Sequence, residues 1–353
     1  MEIVPADDNR AIGQFIDFPY RHYRNDPYWI APLRLAQKDL LDTAKHPFYR
    51  HAEMCCFLAR QDGKIVGRVA AILDKNQFEP DASGFFGFFE SVDSQPVANA
   101  LLSAARGWLW ARGARVMRGP VSPSTNYECG LLVEGFDSSP FVMMTHNPPY
   151  YATLLEKAGL RKSKDLYAYL TLAMNVNGEK AARVAERVRR TRGVHIRPIR
   201  MKEFSAEVDS IWRIYSSAWS QNWGFAPMTK EEFQVMAKDM KSILDPGLAL
   251  IGEVNDQPVG FALALPDINQ ALKHAGGRLF PLGLVKILYY QRLIRTLRVL
   301  ALGVVDEYRT AGVAAAFYAA LITYAQQKGY GNCEFSWVLE DNILMNRSIA
   351  ALG

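Results

Sequence analysis

The hydrophobic positions of this chain fall into a layout that occurs twice. Residues 55–74 read CCFLARQDGKIVGRVAAILD, two apolar runs around a polar turn at Asp62, which predicts a β-hairpin. Residues 248–267, LALIGEVNDQPVGFALALPD, repeat this order. Gly67 and Gly260 hold the same place in the two predicted hairpins, so the pattern indicates a duplicated structural unit.

The elements that follow each hairpin also repeat. Each half continues with an apolar strand, a helix that has a small-residue face and ends at a glycine, a second strand and a final helix. The strands and the first helix are predicted at 84–92, 95–112 and 115–119 in one half, and at 296–305, 313–328 and 332–338 in the other. Matching the glycines requires different insertions in the two halves, at about 121–146 and at about 268–294.

Strands and helices mixed in this way predict the α/β (α+β) class, with a central mixed sheet flanked by helices in each half. The charged stretch GEKAARVAERVRRTR predicts a helix that links the halves. We therefore expect an N-terminal domain at 1–177, a linker helix at 178–193 and a C-terminal domain at 194–353. Each domain is long enough to bury a hydrophobic core of its own.

The turn after the apolar run LRVLALGVV has the features of an anion site. A strand that enters a helix through DEYRTAG leaves backbone N–H groups unpaired at the helix start, where the helix dipole favours phosphate. Gly312 allows a ligand to approach the backbone, and Arg309 offers a charge-assisted contact. A plain strand–helix turn with a solvent-exposed arginine explains the same residues without any ligand.

The pattern R-x-x-G-x-A after the strand resembles the acetyl-CoA pyrophosphate loop of the GNAT superfamily of N-acyltransferases. Downstream, an Asn that opens a helix ending in Gly eleven residues later resembles a second motif of that family. The resemblance covers about 194–353 by motif and the first half by shape, so it implies two GNAT-like folds in tandem. It assigns acetyl-CoA or a longer acyl-CoA to Val304, Val305, Arg309, Thr310, Ala311, Gly312, Val313, Ala314 and Asn342.

The first half departs from the family at this loop. After GFFGFFESVD the chain reads SQPVANALLSAA, which has no glycine and no Arg-x-x-Gly spacing. Gln95-Pro96 instead resembles a direct helix start, because proline is favoured at the first helical position. We expect a degenerate first domain that has lost acyl-CoA and serves packing or the shape of the substrate site.

The resemblance implies transfer of an acyl group to a primary amine by direct attack, with a backbone N–H near Val304 and Val305 stabilising the oxyanion. Many members carry a tyrosine acid after the motif Asn, but Ile349 stands there in the second half, and Leu155 in the first. The carboxylates near the strand end are the remaining candidates for acid–base chemistry; these are Glu334, Glu340 and Asp341. Family members also place a closing strand after the last helix, and we expect it to be missing or to come from elsewhere in the chain.

Two stretches are candidates for the substrate pocket. In the second half, SSAWSQNWGFAPM offers Trp219, Asn222, Trp223 and Phe225, either as a pocket wall or as an ordinary core cluster. In the first half, the polar insertion offers Asn126, Glu128 and His146, of which a histidine beside prolines is also a common structural hydrogen-bonding group. The insertion at 276–299 combines apolar and basic residues, which indicates an interfacial helix, a wall for an acyl chain or a core helix.

Composition narrows the function classes only slightly. A net charge of +5 and a pI near 8.9 suit anionic ligands, and nucleic acid is not an expected partner. The four cysteines lack metal-ligand spacing, so we expect no metal, and we expect a cytoplasmic protein without a signal peptide that can be membrane-peripheral. The acceptor is then a small-molecule or lipid amine. A non-catalytic acyl-CoA-binding or interaction protein and a membrane-peripheral amino-lipid N-acyltransferase remain as alternatives.

Overall fold

The repeated pattern forms two units in a computed structural model, which describes residues 1–77, 81–172, 178–220, 222–309 and 312–350. Unit 1 contains Met1–Ser163 together with Ala271–Tyr289, and unit 2 contains Lys164–Gln270 and the chain from Tyr290 onward. The contacts therefore divide the chain at 163/164, whereas the sequence suggested a domain boundary at 177. The stretch 271–289 of the second half belongs to unit 1.

The elements follow the chain in the order that the sequence pattern predicts, with additions. The first half contains β1 (Glu2–Pro5), α1 (Asn9–His22), α2 (Arg34–Leu40), β2 (Ala52–Gln61), β3 (Lys64–Asp74), β4 (Ser83–Ser91), α3 (Gln95–Trp110), β5 (Val116–Arg118), β6 (Val121–Ser122), β7 (Glu128–Cys129) and α4 (Tyr150–Lys157). The rest contains β8 (Leu166–Leu172), α5 (Gly178–Arg192), β9 (His195–Pro198), α6 (Phe204–Ala218), α7 (Lys230–Met240), β10 (Ala249–Val254), β11 (Gln257–Pro266), α8 (Asn269–Leu272), α9 (Gly283–Gln291), β12 (Thr296–Val304), α10 (Val313–Lys328), β13 (Asn332–Leu339) and α11 (Ile343–Ala350).

The sheet of unit 1 has the order β1-β2-β3-β4-β5, antiparallel except for the pair β4 and β5. Strand β3 is mostly apolar, and it is buried from Gly67 to Asp74 because both of its faces are covered. Val69 and Ala71 pack under α3 and α4, while Ala70 and Ile72 pack on the opposite side against α1. This alternation is the period of two that a strand imposes on its side chains.

Unit 2 repeats this topology with one more strand. Its order is β8-β13-β12-β11-β10-β9, so the parallel pair β12 and β13 corresponds to β4 and β5. Strand β8, which the sequence analysis did not predict, pairs antiparallel with β13 from Asn332 opposite Leu172 to Leu339 opposite Leu166. It supplies the closing strand that was expected to be missing or to come from elsewhere.

The α/β (α+β) class and the tandem arrangement are confirmed. Both hairpins form, and α10 has the bounds predicted for it. The helix predicted as a linker is α5, whose Val188 belongs to the core of unit 2. In the insertion, Gly277 accepts a hydrogen bond from the backbone of Arg34 at 3.1 Å and lies so close to Tyr20 that it has no room for a side chain, which fastens this stretch to unit 1.

Candidate functional site

The parallel strands of unit 2 separate beside the start of α10. Pairing between β12 and β13 covers Thr296–Val299 and Asn332–Phe335, while β12 runs on to Val304 along β11 alone. The N–H of Val305 donates to the carbonyl of Val259 in β11 at 2.9 Å. Because N–H directions alternate along a strand, the N–H of Val304 points to the other edge, where β13 has moved away.

The helix that follows begins without a side-chain cap. Gly312 precedes α10 with a φ of 77°, in the left-handed region where glycine is favoured, and it has no side chain to accept from the first turn. The N–H groups of Val313, which is buried, and of Ala314 lie in that turn. Thr310 and Ala311, both assigned to acyl-CoA by the sequence analysis, lie outside the described residues. The described part of the turn has the geometry of a helix N-terminal anion site.

Two residues assigned to the donor have protein partners in this structure. Arg309 donates from Nη2 to the carbonyl of Ala218 at 2.6 Å and lies 2.9 Å from a carboxylate oxygen of Asp306. The amide oxygen of Asn342 accepts from the N–H of Met345 at 3.2 Å, which is the cap of α11. A phosphate that binds Arg309 must therefore compete with the carbonyl of Ala218, at the end of α6, and with the carboxylate of Asp306.

The three candidate carboxylates differ in burial. Glu334 in β13 is buried, accepts a hydrogen bond from the hydroxyl of Ser336 and lies 3.7 Å from Nε of the fully buried Arg298. Burial raises the pKa of Glu334, and Arg298 opposes that shift. A buried carboxylate with a raised pKa is a suitable proton acceptor at neutral pH.

Glu340 and Asp341 instead join β13 to the chain before β8. Glu340 exchanges hydrogen bonds with the backbone of Asp165, at 3.1 and 3.3 Å. Asp341 is 2.6 Å from the ammonium of Lys164, whose hydrogen bond lowers the pKa of that exposed carboxyl. The contacts of both carboxylates are therefore explained by their role in holding the chain before β8 against the end of β13.

The aromatic residues of the candidate pocket stretch in the second half form a cluster over β12. Trp219 lies on Gly303, which is free of a side chain, with its ring 5.6 Å from that of Phe261 and 5.3 Å from that of Tyr215. The ring centroid of Phe225 lies 5.4 Å from that of Tyr215. The backbone of Asn222 donates to the carbonyl of Trp219, and Trp223 is 41% exposed with the ammonium of Lys164 at 5.9 Å. Trp219 thus reaches the end of the strand beside Val304, and Trp223 stands apart.

The predicted pocket residues of the first half all lie in unit 1. Asn126 donates from its backbone to the hydroxyl of Ser124 at 3.2 Å, and Glu128 is exposed in β7 opposite Ser122. The side chain of His146 is 7% exposed, with Nε2 at 2.8 Å from a carboxylate oxygen of Asp26. Nδ1 of His146 is buried without a hydrogen-bond partner.

Unit 1 also contains a buried polar cluster that the sequence analysis missed. Glu90, at the end of β4, accepts hydrogen bonds from the hydroxyls of Tyr23 at 2.5 Å and Tyr151 at 2.7 Å. Its other carboxylate oxygen lies 3.7 Å from Nη2 of Arg68. His22 places Nε2 3.1 Å from the hydroxyl of Tyr151. Burial raises the pKa of Glu90 and lowers the pKa of His22 to about 4.

A signal for this cluster was present in the sequence. Arg68 interrupts the apolar run KIVGRVAAILD and Glu90 interrupts GFFGFFES, and these two charges pair across β3 and β4. In unit 2, the positions that correspond to these two residues carry no charge. Gly67 pairs with Ser91 as Gly260 pairs with Val304, so the next pair, Arg68 and Glu90, stands where unit 2 has Phe261 and Gly303.

Two such units in one chain define a tandem GNAT-like protein. Solved structures share this fold. A tandem GNAT protein from the clavulanic acid biosynthesis pathway matches 100% of this chain and 94% of its own, with a TM-score of 0.54 and 14% identity. A GCN5-related glucosamine N-acetyltransferase region of a fungal multi-domain β-N-acetylglucosaminidase matches 98% of this chain, which spans 36% of that longer chain, with a TM-score of 0.59 and 14% identity.

Curated relatives match along nearly the whole sequence. The bacterial ceramide synthase of Caulobacter vibrioides (strain NA1000 / CB15N) is 34% identical over 100% of this chain and 94% of its own length. Protein YghO of Escherichia coli (strain K12) is 35% identical over 96% of this chain and 88% of its own length. No protein-family model matches the chain. The chain belongs to the family that contains these two proteins.

Proposed function

We propose that the protein is an acyl-CoA-dependent N-acyltransferase that acylates the primary amine of a lipid-like acceptor. The observation that carries the proposal is the start of α10, a helix without a side-chain cap that opens at Gly312 and follows a strand that has separated from its neighbour. The whole-length relative named a ceramide synthase supports a long-chain amine as acceptor and a long acyl chain as donor, in preference to acetyl.

In this proposal the acyl-CoA donor binds where strands β12 and β13 separate. The first turn of α10, with Arg309 released from Asp306, binds the pyrophosphate, and the edge of β12 at Val304 binds the pantetheine amides. The N–H of Val304 stabilises the oxyanion that forms on the thioester carbonyl. The amine nitrogen attacks that carbon, the C–S bond breaks, and the thiolate leaves and takes up a proton. Glu334 is the candidate proton acceptor in unit 2.

The test is calorimetric titration of acetyl-CoA and a C16 acyl-CoA, followed by mass spectrometry for an amide after a long-chain primary amine is added. Gly312→Asp places a charge at the proposed phosphate site. Gly329→Asp is the matched control, because Gly329 ends the same helix with a φ of 76° against 77° at Gly312. We expect Gly312→Asp to weaken acyl-CoA binding at least 100-fold and Gly329→Asp to bind as the wild type does.

Two outcomes contradict the proposal. Equal loss of binding in both variants means that backbone strain, and not the phosphate site, is responsible. Tight acyl-CoA binding by the wild type without an amide product from any amine of a broad panel favours the second candidate, a non-catalytic acyl-CoA-binding protein. The absence of the usual tyrosine at Ile349 favours that candidate.

A further inference from the structure

The insertion of the second half carries a group of apolar side chains that the protein leaves in water. Five of them are between 42% and 76% exposed; these are Phe280, Leu282, Leu284, Val285 and Leu288. We name these five side chains the 280–288 surface. All of them belong to unit 1, which includes Ala271–Tyr289. A single exposed apolar side chain is ordinary, but five within nine residues form a patch of the kind that marks an interaction site.

The backbone beneath the 280–288 surface is tightly held. Leu284 donates its N–H to the carbonyl of Leu279 at 2.7 Å. The carbonyl oxygen of Arg278 lies where a Cβ on Gly283 would stand, so a larger residue does not fit there. The turn 279–282 therefore folds back onto the start of α9, which brings its apolar side chains beside those of the helix.

Helix α9 turns an apolar face outward in this stretch. Gly283 and Ile287 lie four residues apart on one face of the helix, and both are buried. Val285 and Leu288 lie three residues apart on the opposite face, and they are 62% and 54% exposed. A surface helix normally presents polar residues on the face that meets water. The outer face of α9 is therefore suited to contact with an apolar partner.

The charged residues of the same stretch are all basic. Residues 271–289 contain Lys273, Arg278 and Lys286, which are exposed, and they contain no Asp or Glu. A long basic side chain can reach a layer of phosphate groups while the apolar side chains beside it enter the hydrocarbon. Apolar residues flanked in this way by lysine and arginine are typical of segments that lie in the interface of an anionic membrane.

The helices that hold this stretch do not reverse its charge. The N–H of Arg34, at the start of α2, donates to the carbonyl of Gly277 at 3.1 Å, and the ring of Tyr20 in α1 lies against Gly277. Helices α1 and α2 carry four basic residues and two acidic ones; these are Arg10, Arg21, Arg34, Lys38, Asp17 and Asp39. Asp17 is paired with Arg34 at 2.8 Å. The charges around the surface therefore favour an anionic partner.

A second copy of the chain suits this surface less well than a lipid bilayer does. In a dimer with two-fold symmetry the same patch of both copies meets, so the basic residues of the stretch would face their own counterparts. Like charges that face each other across an interface disfavour association. Anionic headgroups instead compensate the lysines and the arginine, and they leave the apolar side chains in contact with hydrocarbon.

We propose that the 280–288 surface docks on a bilayer that contains anionic lipid. Its five apolar side chains lie in the interface between headgroups and hydrocarbon, and Lys273, Arg278 and Lys286 lie at the phosphates. Among the described residues, no helix is long and apolar enough to cross a membrane. The docking goes beyond the proposed function and does not rest on it, because it requires neither acyl-CoA nor an amine.

Vesicle flotation of the full chain tests the apolar contact. We expect the wild type to float with vesicles of phosphatidylcholine and about 30% phosphatidylglycerol at least tenfold better than with phosphatidylcholine alone, and to be released by about 0.5 M salt. Val285→Asp should lower the bound fraction about tenfold or more, whereas Val285→Leu should bind as the wild type does. Val133→Asp is the matched control, because it makes the same change of residue and charge at a valine of unit 1 that is 59% exposed.

A second pair of variants tests the charges. Lys273→Gln/Lys286→Gln should lose most of the preference for vesicles with phosphatidylglycerol. Lys64→Gln/Lys157→Gln removes the same net charge from exposed positions in the β2–β3 turn and at the end of α4, and it should keep that preference. Circular dichroism of each variant confirms that the comparison is made between folded proteins.

Each contrary result overturns the docking. A wild type that stays unbound on anionic vesicles contradicts it, and so does a Val285→Asp variant that floats as well as Val133→Asp. A concentration-dependent dimer that Val285→Asp abolishes, without vesicle binding, assigns the surface to a second copy of the chain. Because the acyl-CoA titration contains no vesicles, each of these results leaves the proposed function standing.

Discussion

His22 keeps a neutral imidazole because its surroundings disfavour the charged form. Burial is the main cause of its pKa of about 4, Arg68 adds to the shift, and Asp26 opposes it. An unfolded chain restores an ordinary histidine pKa near 6.5. The unfolded state therefore binds more protons between these two values, and folding stability from this residue is present above pH 6.5 and lost as pH falls to about 4.

We predict that His22→Gln removes up to about 3 kcal/mol of the acid sensitivity of the wild type. Urea unfolding at pH 7.0, 5.5 and 4.5 measures it: the difference in unfolding free energy between wild type and variant should shrink as the pH falls. His195→Gln is the control, because His195 is exposed and should leave the wild-type profile intact. Parallel pH profiles for wild type and His22→Gln would show that the imidazole is not kept neutral.

At the scale of elements, β4 is covered so closely by β6 that one position must be glycine. The place of a Cβ on Gly87 is occupied by the carbonyl of Val121, which is backbone and cannot rotate away. The neighbouring Phe88 donates its N–H to the hydroxyl of Ser122 at 3.0 Å, so the short strand is held there. The glycine at position 87 in GFFGFFES is therefore required by the close approach of β6, the strand with which the insertion of the first half begins.

We expect Gly87→Ala to destabilise unit 1 by about 1 to 3 kcal/mol, because β6 must shift to admit a methyl group. Gly13→Ala is the matched control. It lies inside α1 with open space around the position of its Cβ, and alanine should stabilise that helix by about 0.5 to 1 kcal/mol. Thermal or urea unfolding reports both changes, and a neutral Gly87→Ala would mean that β6 is not packed as described.

Elements with strong periodicity could be predicted from the sequence, and those defined by distant partners could not. The hairpins and α10 show the period of two and the small-residue stripe, and their predicted bounds agree closely with the structure. Strand β8 was not predicted, because its partner β13 is far along the chain and because it is an edge strand with Leu170 exposed. The glycine turn was visible as a motif, but the cluster around Glu90 joins α1, β4 and α4, which no local pattern brings together.

At the scale of the whole molecule, the point at which the chain is cut decides whether the second sheet is complete. A fragment of residues 164–353 keeps β8, Lys164 and Asp165, whereas a fragment of residues 178–353 leaves one edge of β13 unpaired. We predict that the longer fragment is soluble and binds acyl-CoA, and that the shorter one aggregates, because an exposed strand edge recruits other chains.

Size-exclusion chromatography and calorimetry of the two fragments make this comparison. Both fragments carry residues 271–289 without their partners in unit 1, so that exposure is common to them and cancels. Equal solubility of the two fragments would show that β8 is dispensable for the sheet.

The pairing of β8 with β13 also determines when the second sheet can form during synthesis of the chain. A ribosome releases β8 well before β13 exists, so the second sheet cannot close until the chain has been made as far as Leu339. During that interval the exposed Leu170 and Leu172 belong to a strand without a partner, and their contact with β13 is among the most distant in sequence that the molecule has to form. The emergence of β13, and not that of β8, is therefore the event that completes the second sheet.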